Sequence, residues 1–398
     1  MHTLRSVFKA MLLTASVWSA GLAHAQVALR PELARPLQAA QELMKAGDAA
    51  GAVTQARSAL SVPAITPQER AVIEQVLATV SIHAKDYRTA IDSLSYLSSD
   101  ATLLAKERLA YQEALINLLR SQGDLANLVK VARAYLEQGG AREGVRALYL
   151  QALSLQDRHQ EVLDFLTPLL KAEHPVALNE AELKTLAIAQ KSVKNEAGYY
   201  EALKRLVAVA PGQQDYWREL LVQLQKQPFF NARYELDVVR LMAQRQLLRE
   251  PSEFLDHAQL ALKFGFPVEA RLALDAGEAA KAFRTAPEQA SQQKLRDLVN
   301  RKVAEDEKQI RALEQSGKAQ DQAELAEILF SKADHKAAIA AYGKALQASN
   351  PRREAELRLH LLIALNQASM KAQARQQLDE IKADTTAREL GQLWLLVN

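Results

Sequence analysis

The sequence predicts an all-α protein: a solenoid of stacked helical hairpins wound as a right-handed superhelix. Three observations predict it. Apolar residues recur at helical spacing in paired segments, each pair split by a short polar turn. The equivalent position of each second helix, Ala52, Ala90, Leu128 and Val162, returns after 38, 38 and 34 positions. Further on, Ala270 and Ala338 are 68 positions apart, twice 34. One hairpin cannot bury its apolar stripe alone, so a repeated hairpin implies stacking against neighbours.

Each element follows from its own residues. Leu37, Ala40, Leu43 and Met44 make the first stripe, Gly47–Asp48 the turn, and Ala52, Val53, Ala56, Ala59 and Leu60 the second stripe, ended by Pro63. The next unit pairs Leu77 and Ala78 with Ala90, Ile91, Leu94 and Leu97 across Asp86–Tyr87. A third pairs Leu115, Ile116 and Leu119 with Leu128, Val129, Ala132 and Tyr135 across Gly123–Asp124, and Gly139–Gly140 closes it. A fourth turns near Asp157–His159 between Leu150 and Val162. A fifth runs from Leu186 to Val207 and ends at Pro211–Gly212. Trp217, Leu220, Leu221 and Leu224 share a helix face, Pro228 breaks it, and Leu236, Val239 and Leu241 continue. Phe254, Ala258 and Ala261 lead through Gly265-Phe266-Pro267 to Ala270 and Leu274.

Residues 291–315 carry a narrow stripe, Leu295, Val299, Val303, Ile310 and Leu313, among many charges, which reads as one long helix. It packs as a degenerate repeat or acts as a hinge, and a continuous core favours packing. The clearest hairpin is Asp321–Pro351. It joins Leu325, Ala326 and Leu329 to Ala338, Ile339, Tyr342, Ala345 and Leu346 through Asp334, with Asn350–Pro351 as its stop. A last pair has Leu359, Leu362 and Leu365, then Ala374, Leu378 and Ile381, and an apolar helix with Trp394 caps the stack. The order of small and large positions in Asp321–Pro351 resembles the tetratricopeptide repeat, of period 34. Leu and Ala replace the usual aromatics of its first helix.

The amino terminus reads as a secretory signal peptide. Arg5 and Lys9 precede a short apolar run from Ala10 to Val17, and Ala23-His24-Ala25 is an A-x-A cleavage site, leaving Gln26 first. That run is shorter than the roughly 20 residues a spanning helix needs. The expected product is exported and soluble after cleavage. It contains no Cys, so its core alone must hold it. The net charge of +3 falls to +1 once Arg5 and Lys9 are removed, and no basic run marks a nucleic-acid binder. The expected organisation is 1–25 signal peptide, 26–286 first repeat block, 287–318 long charged helix, and 319–398 final repeats with a capping helix.

No catalytic signature is present. GxSxG, HExxH and paired Cys are all absent. Ser316-Gly317-Lys318 lacks the upstream Gly of a phosphate loop, since position 312 is Ala. His83, His159, His257 and His335 fall in separate repeats and read as surface or packing residues. Glu305–Asp306–Glu307 reads as a solvated, salt-bridged face. The chain is therefore expected to be a non-enzyme without cofactor or metal.

In repeats of this kind the first helices line a groove. One groove position per unit is Gln41, Thr79, Asn117, Gln151, Gln259 and Glu327, five of them uncharged and polar. An amide both donates and accepts, so such a ladder suits an extended peptide backbone. Lys45, Arg120 and Lys263 lie one turn along and suit a carboxylate. The plainer alternative is an ordinary soluble face in a Gln-rich chain.

The phrases RPELARPLQAAQELMKAGD, YWRELL…KQPFF…YELDVVRL and LALKFGFPVEA resemble exported tetratricopeptide-repeat proteins of the Gram-negative periplasm encoded beside TonB–ExbB–ExbD systems. That resemblance implies a protein-binding scaffold accessory to TonB-type energisation of outer-membrane uptake, with the inner-membrane complex as partner. It fixes packing positions only and carries over no binding residue. An envelope-assembly or chaperone adaptor, and a supporting subunit of a glycan-processing complex, remain open alternatives.

Overall fold

One turn, repeated along the chain, makes the hairpins. A residue with positive φ ends one helix, and the next residue, Asp or Asn, caps the following one. The pairs are Gly47–Asp48, Lys85–Asp86, Gly123–Asp124, Lys194–Asn195 and Ala333–Asp334. Each capping side chain accepts from the backbone N–H three residues on, at 2.8–3.2 Å. Each capping residue's own N–H donates back to the carbonyl five residues earlier, as Asp86 does to Ser81 at 2.9 Å. The left-handed residue lets the chain reverse, and the cap satisfies donors that a helix start leaves open. Gly takes the strained position at 47 and 123, whereas Lys85, Lys194 and Ala333 bear a Cβ there.

The computed structural model describes residues 29–141, 144–172, 176–347 and 353–397, with the backbone alone at 306–309. The expected signal peptide and the Asn350–Pro351 stop lie outside the described residues. Every regular element among the described residues is helical. In order they are α1 (Pro31–Lys45), α2 (Ala49–Ser58), α3 (Pro67–Ala84), α4 (Tyr87–Ser99), α5 (Ala105–Gln122), α6 (Leu125–Glu137), α7 (Val145–Ser154) and α8 (His159–Lys171). There follow α9 (Glu180–Ser192), α10 (Glu196–Val209), α11 (Gln214–Gln225), α12 (Glu235–Gln244), α13 (Pro251–Lys263) and α14 (Pro267–Ala279). The series closes with α15 (Ala286–Glu314), α16 (Ala319–Ser331), α17 (His335–Ala345), α18 (Glu354–Gln367), α19 (Lys371–Glu380) and α20 (Thr385–Trp394). No helix among the described residues is long and apolar enough to cross a membrane.

Packing follows chain order. Within α1–α2, α3–α4, α5–α6, α9–α10, α13–α14, α16–α17 and α18–α19 the two helices of a hairpin pack together, and a second helix packs on the first of the next hairpin, as α2 does on α3 and α4 on α5. Contacts divide the chain into two compact units, one up to Val162 and one from Leu163. In the first, Leu33, Leu37, Ala40, Ala52, Val53 and Ala56 share a core with Ile73 and Leu77. Small residues at 40, 52 and 56 let helix backbones approach closely.

In the second unit α15 is a continuous helix begun by a capping box between Thr285 and Glu288. It packs against α13, α14 and α16, and its Val299 and Val303 enter one core with Leu236, Ala258 and Leu274. In α12 Leu236 and Leu241 are buried as expected, but the valine that joins them is Val238, and Val239 is only half-buried. The capping helix α20 packs on α18 and α19 and also reaches α12. There the Asp384 carboxylate accepts from the Tyr234 hydroxyl at 2.9 Å and pairs with Arg233, and Glu389 accepts from the Tyr200 hydroxyl at 2.8 Å. The second unit is thus tied back on itself.

Ala338, at the head of α17, is fully buried. Ala338→Trp is expected to lower the thermal unfolding midpoint of the second unit, because overpacking a tight helix contact costs about 1–3 kcal/mol or more. Calorimetry of parent and variant checks this; identical midpoints would mean that the helix contact has room for an indole.

Candidate functional site

Three of the predicted residues meet in the first unit. Asn117 and Arg120 lie one turn apart on α5, and Gln151 lies on α7. Together with Glu113, Ile116 and Leu148 they line a cavity of about 380 Å³. The apolar residues of α5 hold this face outward: Leu115 and Leu119 are 1% exposed each, whereas Arg120 and Gln151 are exposed and Asn117 half-buried. Glu113 accepts from the Tyr135 hydroxyl at 2.7 Å, so a carboxylate of fixed orientation stands beside the guanidinium and the two amides. Such a surface offers donors and acceptors to a backbone and one cation to a carboxylate.

The other predicted residues are placed as follows. Gln41 is half-buried and Lys45 exposed on α1, and Thr79 is exposed on α3. Thr79 spends its hydroxyl proton on the Gln75 carbonyl at 3.0 Å, which leaves it an acceptor only. None of these three lines the cavity. Gln259 and Lys263 are exposed on α13 in the second unit, one turn apart. Glu327, the sixth rung of the ladder, is no groove residue at all. It is 5% exposed and accepts from His360 at 2.9 Å.

His360 belongs to a buried polar network that the sequence reading missed. Arg240 on α12 donates from Nη1 to Asp237 at 2.8 Å and from Nη2 to Glu269 on α14 at 2.7 Å. Its guanidinium lies between the rings of Phe266 and Phe330, about 5 Å from each centroid. His257 on α13 donates from Nε2 to Glu269 at 3.1 Å. His360 on α18 lies between Glu327 and Asp237, at 2.9 Å from each, and stacks on Phe330. Burial pushes the His360 imidazolium toward deprotonation, but the Glu327 and Asp237 charges outweigh it and hold the pKa up at about 10. Burial likewise opposes ionisation of Glu269, yet Arg240 and His257 hold that carboxyl down at about 2. Asp237 is lowered in the same way: burial opposes ionisation, and His360 and Arg240 prevail. Burial, with Glu327 next, raises the Tyr342 hydroxyl well above its ordinary value.

The network ties α12, α13, α14, α16 and α18 together. The available sequence signals were Asp237 and Arg240 set among Leu236, Val238 and Leu241, and His360 within an α18 buried on every face from Glu356 to Asn366. No grouping of three or more His, Cys, Asp or Glu suited to a metal ion occurs among the described residues.

No family model and no curated protein sequence matches the chain. Among solved structures, the TPR2AB domain of yeast Sti1 in its pHSP90 complex is 12% identical, with a TM-score of 0.36, covering 68% of this chain and 98% of that one. A tetratricopeptide repeat protein from Parabacteroides merdae is 13% identical, with a TM-score of 0.29, covering 68% and 99%. The TPR domain of P58(IPK) is 14% identical, with a TM-score of 0.25, covering 90% and 96%. At these scores the likeness adds nothing to the repeat architecture, which rests on the chain's own hairpins.

Proposed function

We propose that the chain is an exported, non-catalytic scaffold that binds an extended segment of a partner protein on the first-helix face of its first unit. The reading rests chiefly on Asn117, Arg120 and Gln151 lining one cavity. Asn117 and Gln151 pair with peptide backbone, and Arg120 takes a carboxylate of the bound segment. Gln41, Lys45 and Thr79 extend that face along α1 and α3, and Gln259 and Lys263 offer the same chemistry on the second unit. The partner is an envelope component of the TonB–ExbB–ExbD type, encountered in the periplasm; the sequence phrases given above support this.

Crosslinking in the periplasm followed by affinity capture identifies the partner, with TonB or ExbB as the expected adduct. Binding is then measured to the Asn117→Ala/Arg120→Ala protein. Loss of a hydrogen bond to a charged group costs about 1.5–3 kcal/mol, so affinity should fall roughly tenfold or more. A double variant that folds normally and binds as tightly as the parent removes this face as the site.

A further inference from the structure

We propose that the second unit binds an uncharged, largely apolar small molecule in a cavity beside the buried polar network. The cavity measures about 610 Å³, within the range of ligand sites. Its mouth is open: Leu272, Ala276 and Ala280 are exposed on one side, on α14 and just beyond it, and Gln244 and Gln246 are exposed on the other. Its inner wall is buried and carries the aromatic rings of Phe254, Phe330 and Trp394.

The lining decides the ligand's charge. Arg240 and Glu269 line it with opposite charges, and they bond to each other through both guanidinium Nε and Nη2. Arg240 Nη1 is held by Asp237, and Glu269 Oε1 also accepts from His257. An ionic ligand would meet a balanced, mutually engaged pair and would be desolvated without a counter-charge.

Hydrogen-bonding capacity remains in three ring nitrogens on three different helices. His257 Nδ1, His335 Nδ1 and Trp394 Nε1 are buried, and none has a hydrogen-bond partner among the described residues. All three residues line this cavity. His257 and Trp394 are 7% and 3% exposed, so bulk water does not satisfy them. An aromatic or aliphatic body with one or two uncharged polar atoms matches the apolar α14 side of the mouth, the aromatic walls and these nitrogens.

The test is titration of the full chain with the uncharged fluorescent arylamine N-phenyl-1-naphthylamine. Saturable binding of one probe per chain is expected. Ala276→Trp, which places an indole in the mouth from an exposed helical position, should weaken binding tenfold or more, and Ala280→Phe should act likewise if the first variant folds poorly by circular dichroism. Ile188→Ser, which removes an exposed apolar side chain from α9, should bind as the parent does. The sulfonated anilinonaphthalene analogue should bind at least tenfold more weakly. The proposal is overturned by non-saturable binding, by folded mouth variants that bind as the parent does, by loss of binding in Ile188→Ser, or by equal affinity for the anionic probe.

Discussion

Arg240→Met is expected to destabilise the second unit by about 3–5 kcal/mol, the loss typical of removing one partner from a buried ion pair. The guanidinium is the hub of the network. Its removal strands Asp237 and Glu269 as buried carboxylates, each left with one His. It also vacates the slot between Phe266 and Phe330. Met is long and apolar, so it refills much of the volume, and the loss then reports charge rather than packing. Urea unfolding followed by circular dichroism checks this. A midpoint unchanged in Arg240→Met would mean that the carboxylates reach water or protonate at little cost. A buried network of this kind is satisfied in one register only, so it specifies how α12, α14, α16 and α18 meet even where apolar residues would hold them as tightly.

Stability should also fall steadily toward alkaline pH, and His360 should cause the fall. Its pKa is about 10 in the folded chain against 6.5 for a free imidazole. Between those values the folded state holds a proton that the unfolded state has lost. The contribution is therefore complete below pH 6.5, declines by about 1.4 kcal/mol per pH unit above it, and is gone beyond pH 10. Glu269 works in the opposite sense: its pKa near 2, against 4.5, gives a contribution complete above pH 4.5 and lost as pH falls toward 2. The two limbs place maximal stability between about pH 4.5 and 6.5. Urea midpoints measured from pH 5 to 10 should decline in the parent, and His360→Gln should flatten the decline. Equal alkaline slopes in both proteins would assign the effect to other groups.

The parts legible in the sequence were those set by local chemistry. Gly47–Asp48, Asp86, Gly123–Asp124 and Asp334 mark turns because a left-handed residue and a side-chain cap are needed within two positions. The apolar stripes of α2, α6 and α13 are buried as their spacing implies. Of the candidate site, Asn117, Arg120 and Gln151 could be brought together because counting back from each turn gives the same helix face. The network was not legible, since its partners lie far apart: His360 meets Asp237 across 123 residues and Glu327 across 33. Glu327 occupied the same place in its repeat as Gln151 and Gln259, but α18 covers it, and no local pattern announces that cover. The return of α20 to α12 was hidden for the same reason. Tyr234 and Asp384 form a specific pair only once the chain between them has folded.

Hydrogen–deuterium exchange of the full chain, with and without its crosslink-identified partner, tests the central reading most directly. The account predicts new protection on α5 and α7, across residues 113–120 and 145–151, with no loss of protection in α16 and α18. Protection confined to other helices, with α5 and α7 exchanging as in the free chain, would contradict it.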